Sequence, residues 1–368
     1  MSKHPNSSVQ TSGWTGWRNR LLSSARFQRW AAAFPLTRPV ARHHARDLFD
    51  LTAGFVYTQI AFALVESGLL ESLRRQSLSL TEASRRASLP RDGALRLLRA
   101  AESLRLTEEL PGGGWTLGAR GAALAGSPGV AEMIAHHRLL YEDLADPLAL
   151  LRGERRGRLA SLWVYGADGP SEAAASYSKL MAVSQPMVAA QALAAFRFSR
   201  HRSLLDVGGG EGAFLAAVTP AAPRLRLGLF DLPLVVGRAE ARLRSHKQPV
   251  NFHAGDFRSD SLPRGYDLIS LVRVLHDHDD GVAASLLARI REALPARGRL
   301  IVVEPMAGTR GAEPVGHAYF GMYLLAMGSG RARTASEIGE MTLNAGFKSW
   351  KVLRTPLPLA ARVLVAQS

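Results

Sequence analysis

The sequence contains no cysteine, which excludes disulfide bonds, thiolate zinc sites and a cysteine nucleophile. Any metal ion would need His and carboxylate ligands. No extreme of composition is present either, because hydrophobic residues make up 47% and charged residues 21% of the 368 positions. Collagenous, disordered and miniature disulfide-rich classes are therefore excluded, and the length fits about two domains.

Acidic residues are absent from the first 46 positions, which carry eight of the bases behind the net charge of +15. These bases alternate with Trp14, Trp17, Trp30 and Phe34. Positive charge with interfacial aromatic rings is typical of contact with an anionic membrane surface, and a solvated or packed arm is the alternative. No secretory signal precedes this segment, so we expect a cytoplasmic protein with peripheral contact to the cytoplasmic membrane.

An uninterrupted membrane-spanning run is also lacking. Residues 51–70 form the longest apolar stretch, but Thr58, Gln59, Glu66 and other polar residues interrupt it. The stretch predicts a buried helix rather than a membrane span.

The order of patterns along the chain predicts four parts: a basic aromatic arm (1–44), a helical and winged-helix dimerisation domain (45–169), linking helices (170–202) and a catalytic domain (203–368). In the second part, two short helical patterns precede a Gly-rich hairpin, which is a winged-helix outline. Arg96 and Arg99 could face DNA from its second helix, but neighbouring leucines leave that helix little polar surface. We therefore favour a dimerisation module and expect no nucleic-acid partner.

From residue 203 onward, short β-rich runs alternate with helical ones, which predicts an α/β fold with a mostly parallel sheet. The last two strands are separated by a short turn and predict an antiparallel C-terminal hairpin.

A glycine-rich turn, DVGGGEG, follows the first of these strands and brings backbone close to a ligand. Gly208 and Gly210 also satisfy a dinucleotide fingerprint, so NAD and a purely structural turn remain alternatives. Asp206 favours S-adenosyl-L-methionine, because a carboxylate attracts its ammonium and sulfonium groups but repels a pyrophosphate. Asp231, Asp256 and Phe257 follow the next two strands and would take the ribose hydroxyls, the adenine amino group and the adenine ring.

The fourth strand leads into VLHDHDD, and the fifth ends at Glu304. The carboxyl ends of parallel strands share one rim, so His276 should lie near the carboxylates. Methyl transfer to a hydroxyl requires removal of its proton, and we expect His276 to be the general base with Glu304 holding its ring. No metal site is expected, because neighbouring side chains on an extended strand point to opposite faces.

DVGGGEG, FDLP, GDF, LHDHDD, EPM and RTASEIGEMTLNAGF stand in the order found in the plant-type, metal-independent O-methyltransferases, and the sequence resembles that family over residues 45–368. The resemblance implies a Rossmann-like class I methyltransferase sheet behind a winged-helix dimerisation domain, a homodimer, and the site residues named above. Two positions depart from the family pattern: His278 replaces a frequent Trp, and Ala332 stands where many members have a second acid.

The whole chain further resembles the purple-bacterial O-methyltransferases of hydroxyneurosporene and demethylspheroidene. This implies methylation of the C1 tertiary hydroxyl of acyclic carotenoids, with phenols or tetrapyrroles as other lipophilic acceptors and a DNA-binding regulator with a vestigial cofactor pocket as a different class. An apolar, adaptable substrate pocket would suit a carotenoid, and the residues expected there are Met181, Met187, Phe320, Met322, Tyr323 and Met327.

Overall fold

The computed structural model describes residues 13–127, 129–162, 172–244, 246 and 248–368. The chain forms two compact units, of which the first ends at Arg120 and the second begins at Gly121. This boundary differs from the four-part division expected from the sequence, which stays a prediction. Part of the expected arm (1–12) and the junction at 163–171 lie outside the described residues.

The first unit is helical at its start. Its leading helices are α1 (Gly13–Leu22), α2 (Ala25–Ala33), α3 (Arg38–Glu66) and α4 (Leu69–Arg75). Ser24 caps α2 by accepting a hydrogen bond from Phe27 N, and Pro39 stands in the first turn of α3, where its missing N–H costs nothing. The described part of the expected arm is therefore helical.

Helix α3 is largely exposed, and the prediction of a buried helix in this region is wrong for the single chain. Only Leu64 is buried in α3, whereas Leu51 is 81% and Phe55 73% exposed. The helix is long and apolar enough to cross a membrane by length and composition, with a mean hydropathy of 1.6 over its most apolar window. Within the first unit, α2, α4 and α6 pack against α3 but leave its apolar surface bare.

The rest of the first unit has the winged-helix outline. It contains β1 (Leu78–Ser79), α5 (Leu80–Ala87), α6 (Arg91–Ser103), β2 (Thr107–Glu109) and β3 (Gly114–Leu117), followed by α7 (Ala119–Ala125) at the boundary. The strands form an antiparallel sheet in the order β1-β3-β2. Ser79 and Glu82 form a capping box at the start of α5, and Trp115 of β3 is buried.

The second unit opens with α8 (Val130–Asp143), α9 (Pro147–Leu151), α10 (Arg158–Leu162) and α11 (Glu172–Ala195). The α/β part then runs β4 (Ser203–Val207), α12 (Ala213–Val218), β5 (Arg226–Asp231), α13 (Pro233–Leu243), β6 (Val250–Ala254), β7 (Leu268–Val272), α14 (Asp280–Ala293) and β8 (Arg299–Glu304). A π-helical turn (Val315–Phe320), α15 (Gly321–Met327), α16 (Ala335–Asn344), β9 (Ser349–Leu353) and β10 (Arg362–Gln367) complete it.

Its seven strands form one sheet in the order β6-β5-β4-β7-β8-β10-β9. β4 to β8 pair in parallel, and β10 is inserted antiparallel between β8 and β9. This arrangement confirms the predicted α/β class and the antiparallel C-terminal hairpin. The strand order reverses between β4 and β7, so their carboxyl ends open the crevice where such folds bind ligands.

Helices cover both faces of the sheet. Leu204 and Leu205 are adjacent in β4 and fully buried, yet they belong to separate hydrophobic clusters, because successive strand side chains point to opposite faces. Each buried leucine contributes about 1.5–3 kcal/mol by leaving water. The two layers hold the strand ends rigidly, and those ends carry the candidate site.

Candidate active site

The glycine-rich loop after β4 exposes its backbone at the carboxyl-terminal edge of the sheet. Gly208 and Gly210 have φ values of +67° and +56°, and residues that carry a side chain adopt this backbone conformation only with strain. A Cβ atom on Gly208 would lie 2.8 Å from Cγ2 of Val274, so the loop and the end of β7 are in close contact. Glycine is required here for both conformation and space.

A cavity of about 480 Å³ lies beside this loop in the second unit. Its walls include the predicted cofactor residues Gly208, Gly210, Asp231, Asp256 and Phe257, together with Met181. The structure therefore brings to one cavity five of the six residues that the sequence assigned to the cofactor.

Asp206, the sixth, lies beneath the loop rather than on the cavity wall. It is 1% exposed, and its Oδ1 accepts a hydrogen bond from Ser270 Oγ at 2.6 Å. Its Oδ2 has no hydrogen-bond partner among the described residues. Burial raises the pKa of Asp206 to about 7, although the Ser270 bond opposes the shift. The negative charge at this position therefore depends on pH near neutrality.

Asp231, the last residue of β5, binds the glycine loop itself. Its Oδ2 accepts from Gly210 N and its Oδ1 from Leu232 N, both at 2.8 Å. Burial raises its pKa despite these two bonds, which act in the opposite direction. The carboxylate holds the loop in place, and each oxygen keeps a further lone pair for a ligand hydroxyl.

Asp256 is paired with Arg258. The guanidinium donates Nε to both carboxylate oxygens at 3.0 Å and Nη2 to Oδ2 at 2.7 Å, and these bonds lower the pKa of Asp256. Both residues line the cavity. An adenine amino group would therefore meet a carboxylate already engaged by a cation, which the sequence did not predict.

Phe257 and His278 close the same end of the cavity with two rings. Their centroids are 5.2 Å apart in an edge-to-face arrangement. Burial lowers the pKa of His278, so the neutral ring is favoured. His278 stands where the family often has Trp, and it still presents a flat ring to the cavity.

His276 lies in a 3₁₀ turn (Leu275–Asp277) after β7, and its side chain is almost completely buried. Its Nε2 is 3.2 Å from Oδ1 of Asp277. Glu304 Oε2 accepts a hydrogen bond from the backbone N of His276 at 3.2 Å. In this structure Asp277 faces the ring and Glu304 binds the backbone, while Nδ1 of His276 and Oε1 of Glu304 have no hydrogen-bond partner among the described residues. That Glu304 holds the imidazole ring stays a prediction.

The electrostatics of this group follow from its burial. Burial alone would lower the pKa of His276, but the carboxylates of Asp277 and Glu304 outweigh it and raise the pKa. Burial raises the pKa of Glu304, because the charged form loses its hydration. His276 is therefore a stronger base than a free imidazole.

The ring of His276 also packs against Phe320 of the π-helical turn, with centroids 5.6 Å apart. Neither His276 nor Glu304 lines the 480 Å³ cavity, whereas Asp277 does. Asp277 therefore connects the cavity to the imidazole.

The predicted substrate residues divide into three groups. Met181 lies on the cofactor cavity, and Phe320 covers the imidazole. Tyr323 and Met327 belong to a buried cluster with helices α8 to α10, and Tyr323 OH is 2.9 Å from Nε2 of a histidine on α8. Met187 and Met322 are half-buried and line no part of the cavity. Their substrate role stays a prediction.

Sequence reasoning missed three residues at this site: Asp277, Arg258 and Arg273. Arg273 lines the cavity at the end of β7 and has a φ of +56°, a strained value for a side-chain-bearing residue. Its guanidinium donates to Met181 O and Ser184 Oγ on α11, both at 2.8 Å. The sequence signal that could have identified Arg273 is a charged residue directly after an apolar strand.

These residues fit S-adenosylmethionine. The loop leaves no room for a Cβ on Gly208, which would meet Val274, and buried Asp206 has an oxygen, Oδ2, without a hydrogen-bond partner among the described residues. Asp231 offers a hydroxyl acceptor, and Phe257 with His278 offers apolar ring surface. In the described part of the chain, no three His, Asp or Glu residues are arranged to hold a metal ion.

Comparison with known proteins agrees with this geometry. Residues 141–348 match the family model of the O-methyltransferase domain. The demethylspheroidene O-methyltransferase of Cereibacter sphaeroides is 42% identical, over 94% of this chain and 93% of its own length. The enzyme of the same name from Rhodobacter capsulatus is 40% identical, over 95% and 88%.

The crystal structure of human N-acetylserotonin methyltransferase, solved with S-adenosylmethionine, shares the fold with a TM-score of 0.75 and 24% identity. The structural match covers 88% of this chain and 97% of the human chain. The sequence matches extend over nearly the whole chain, and the cavity carries the residues expected for the methyl donor. The chain therefore belongs to the O-methyltransferase family and is an S-adenosylmethionine-dependent methyltransferase.

Proposed function

We propose that the protein methylates the C1 tertiary hydroxyl of an acyclic carotenoid, such as hydroxyneurosporene or demethylspheroidene, in the synthesis of spheroidene-type carotenoids. The observation that carries this substrate is the 42% identity, over 94% of the chain, to a demethylspheroidene O-methyltransferase. The ring of Phe320 packs against His276 and offers an apolar surface that suits a long apolar substrate.

In this proposal His276 accepts the proton that the hydroxyl loses, and Asp277 stabilises the imidazolium that results. S-Adenosylmethionine, when bound, supplies an electrophilic methyl group on a positively charged sulfur. Gly208, Gly210 and Asp231 would hold it, and the buried charge of Asp206 would favour its cationic groups. The protein's remaining contribution is to place the hydroxyl in line with the methyl group and to exclude water.

The test is turnover with labelled methyl donor and a hydroxylated acyclic carotenoid dispersed in detergent or liposomes. We expect a methoxy carotenoid from the parent protein and at least about a hundredfold loss for His276→Ala. Met341→Leu is the matched control, because it changes a half-buried methionine on α16 that lines no part of the cavity. Methylation of phenols alone would refute the carotenoid substrate and leave the enzyme class intact.

We also propose that the first unit binds the cytoplasmic face of the membrane, where a carotenoid substrate dissolves. The rings of Trp14, Trp17 and Trp30 are about half to two-thirds exposed, with values of 70%, 49% and 52%. The first turns of α3, which follow the helices of these tryptophans in the chain, carry the basic side chains of Arg38, Arg42, His43 and Arg46. Aromatic rings beside positive charge favour an anionic lipid surface.

Co-sedimentation with vesicles tests this localisation. We expect binding to vesicles containing phosphatidylglycerol, weaker binding in high salt, and loss of binding in a Trp14→Ala/Trp17→Ala variant. An Arg85→Gln/Arg86→Gln variant is the control, since these bases lie on α5. Equal binding of the tryptophan variant and the parent would contradict the proposal.

We propose further that the exposed apolar face of α3 packs against a second copy of the chain. Leu48, Phe49, Leu51 and Phe55 are each more than 60% exposed on this helix, an unusual concentration for a surface without a partner. Light scattering should give a dimer for the parent and a monomer for Leu51→Asp/Phe55→Asp. The Leu359→Asp variant, at another exposed leucine, should stay dimeric. A monomeric parent at micromolar concentration would refute the dimer.

A further inference from the structure

A five-residue segment between α15 and α16 runs against the turn that carries His276. We call this segment, residues 329–333, the strap, and residues 275–278 the catalytic turn. Arg333 of the strap is fully buried. Its Nη1 donates to the carbonyl of Leu275 and its Nη2 to the carbonyl of His278, both at 2.8 Å. One guanidinium thus holds both ends of the turn.

The strap also bonds the middle of the catalytic turn. Arg331 N donates to the carbonyl of His276 at 3.0 Å, and Ser329 Oγ donates to the carbonyl of Asp277 at 3.0 Å. All four carbonyls of the turn therefore accept a hydrogen bond from the strap. The backbone N of His276 is bonded to Glu304 from the opposite side. The position of the imidazole is set by groups outside its own strand.

Asp280 fixes the orientation of the guanidinium. Its Oδ1 accepts from Nε of Arg333 at 3.0 Å and from Nη2 at 2.7 Å, while its side chain is 60% exposed. A buried charge is costly unless its donors are satisfied, and here three nitrogens are engaged in four bonds. The planar fork of arginine reaches two carbonyls and a carboxylate together, which the single ammonium of lysine cannot do.

The strap also packs closely against the catalytic turn at Gly330. Gly330 has a φ of +81°, and a Cβ atom there would lie 2.2 Å from the carbonyl oxygen of His276. The strap and the turn are in direct backbone contact at this point. Movement of the strap would therefore move His276 and Asp277 with it.

We infer that Arg333 is a positioning residue, which holds the His276–Asp277 pair in the geometry that proton transfer needs by clamping the carbonyls on both sides of the pair. The inference rests on the proposed role of His276 as the base. Arg333 touches neither substrate nor donor in this role, because it acts only through the turn. Its effect should appear in the catalytic step and in the titration of the imidazole, and not in donor binding.

The test compares Arg333→Lys with the parent enzyme. Lysine keeps the charge and loses the fork, so electrostatic and geometric effects separate. We expect kcat to fall about ten- to a hundredfold, because displacement of a reacting group by about an ångström has effects of that size, with KM for S-adenosylmethionine changed by less than about twofold. The acid limb of the kcat profile should move to lower pH, as the imidazole loses the close carboxylate of Asp277.

The imidazole itself gives a readout that does not depend on substrate. The ¹⁵N signals of His276 should titrate at lower pH in Arg333→Lys than in the parent. The charged and titratable groups acting on this ring are Asp277, Glu304, Arg273 and His278. The charge of Arg333 lowers the pKa of His278 and of Glu304, and lysine keeps that positive charge. A shift of the titration therefore reports a change in geometry.

Arg155→Lys is the matched control. Arg155 also donates to two carbonyls and a carboxylate, those of Glu142 and Asp143, but away from the turn. It should lower the melting temperature without altering the pH profile. Asp280→Asn is the second variant for the strap, because its side chain is exposed and the substitution leaves the buried core unchanged. It should lower kcat in the same direction by about two- to tenfold, since the guanidinium keeps its carbonyl bonds but loses its orientation.

The outcomes are distinguishable. If soluble Arg333→Lys and Asp280→Asn keep the kcat and the imidazole titration of the parent, the positioning role is refuted. If Arg333→Lys does not fold, Asp280→Asn decides alone, by the same two measurements. Undiminished methylation by His276→Ala would instead refute His276 as the base. The His276–Asp277 pair would then have no role in proton transfer, whatever the strap variants show.

Discussion

The buried carboxyl of Asp206 should make the stability of the protein fall as the pH rises through neutrality. Burial raises the pKa of Asp206 to about 7, whereas the unfolded chain has the ordinary value of 3.8. Between pH 6 and pH 8 the unfolded chain is ionised throughout, and the folded chain loses its proton. The folded state therefore binds more protons, so the free energy of unfolding decreases with rising pH.

The size of this effect follows from the pKa. With a value of about 7, the group lowers the free energy of unfolding by about 1.4 kcal/mol between pH 6 and pH 8. Asp206→Asn removes the titration but keeps an oxygen to accept from Ser270, so the fold should survive. Its amide N–H groups would lack partners, at a cost of about 1–3 kcal/mol, so the informative quantity is the slope with pH and not the absolute stability.

Urea unfolding followed by circular dichroism at pH 6, 7 and 8 measures that slope. Between pH 6 and pH 8, the free energy of unfolding should fall by about 1.4 kcal/mol less in Asp206→Asn than in the parent. Asp267→Asn is the matched control, because the pKa of Asp267 is lowered and lies below this range. Equal slopes for the parent and Asp206→Asn would show that the carboxyl does not titrate near neutrality. Saturating S-adenosylmethionine should reduce the parent's slope, because its positive charge favours the ionised carboxylate.

Three further predictions concern the imidazole, the glycine loop and the packing of α16 on the sheet. Asp277→Asn should move the acid limb of the kcat profile to lower pH, because the pKa of His276 falls when its nearest carboxylate is neutralised; an unmoved limb would mean that another group titrates. Gly208→Ala should weaken binding of S-adenosylmethionine at least about tenfold by calorimetry, since the new methyl group strains a backbone of φ +67°; unchanged affinity would contradict the role of this loop in binding the donor. Gly339→Ala should lower the free energy of unfolding by about 1–3 kcal/mol, because its Cβ would collide with the ring of Trp350, and retained stability would show that this helix can shift.

Most of the fold could be predicted from the sequence, because its signals are local. Alternation of β-rich and helical patterns fixed the sheet, and the glycine turn marked its ligand-binding edge. The exception is α3, where apolar character alone led to a buried helix. Apolar content reports a tendency to leave water, but it does not show which surface covers the helix. Among the described residues, most of the apolar side chains of α3 stay exposed.

The sequence predicts which residues lie at the site, but it does not predict which side chains contact one another. Strand ends placed Asp231, Asp256 and His276 on one rim, as observed. Contacts between side chains depend on rotamers and on local turns, which carry no periodic signal. The 3₁₀ turn after β7 rotates His276 toward its own neighbour Asp277 and leaves Glu304 to bind the backbone.

The same geometry explains how the site can lack a second acid at Ala332. Asp277 already supplies a carboxylate to the imidazole, and Glu304 supplies another within the same buried region. Asp277 also raises the pKa of Glu304, so negative charges at this turn already oppose one another. A further buried carboxylate would raise the pKa of Glu304 again and favour its neutral form, which stabilises an imidazolium less well. Alanine in the strap therefore avoids charge crowding while its neighbour Arg333 provides the clamp.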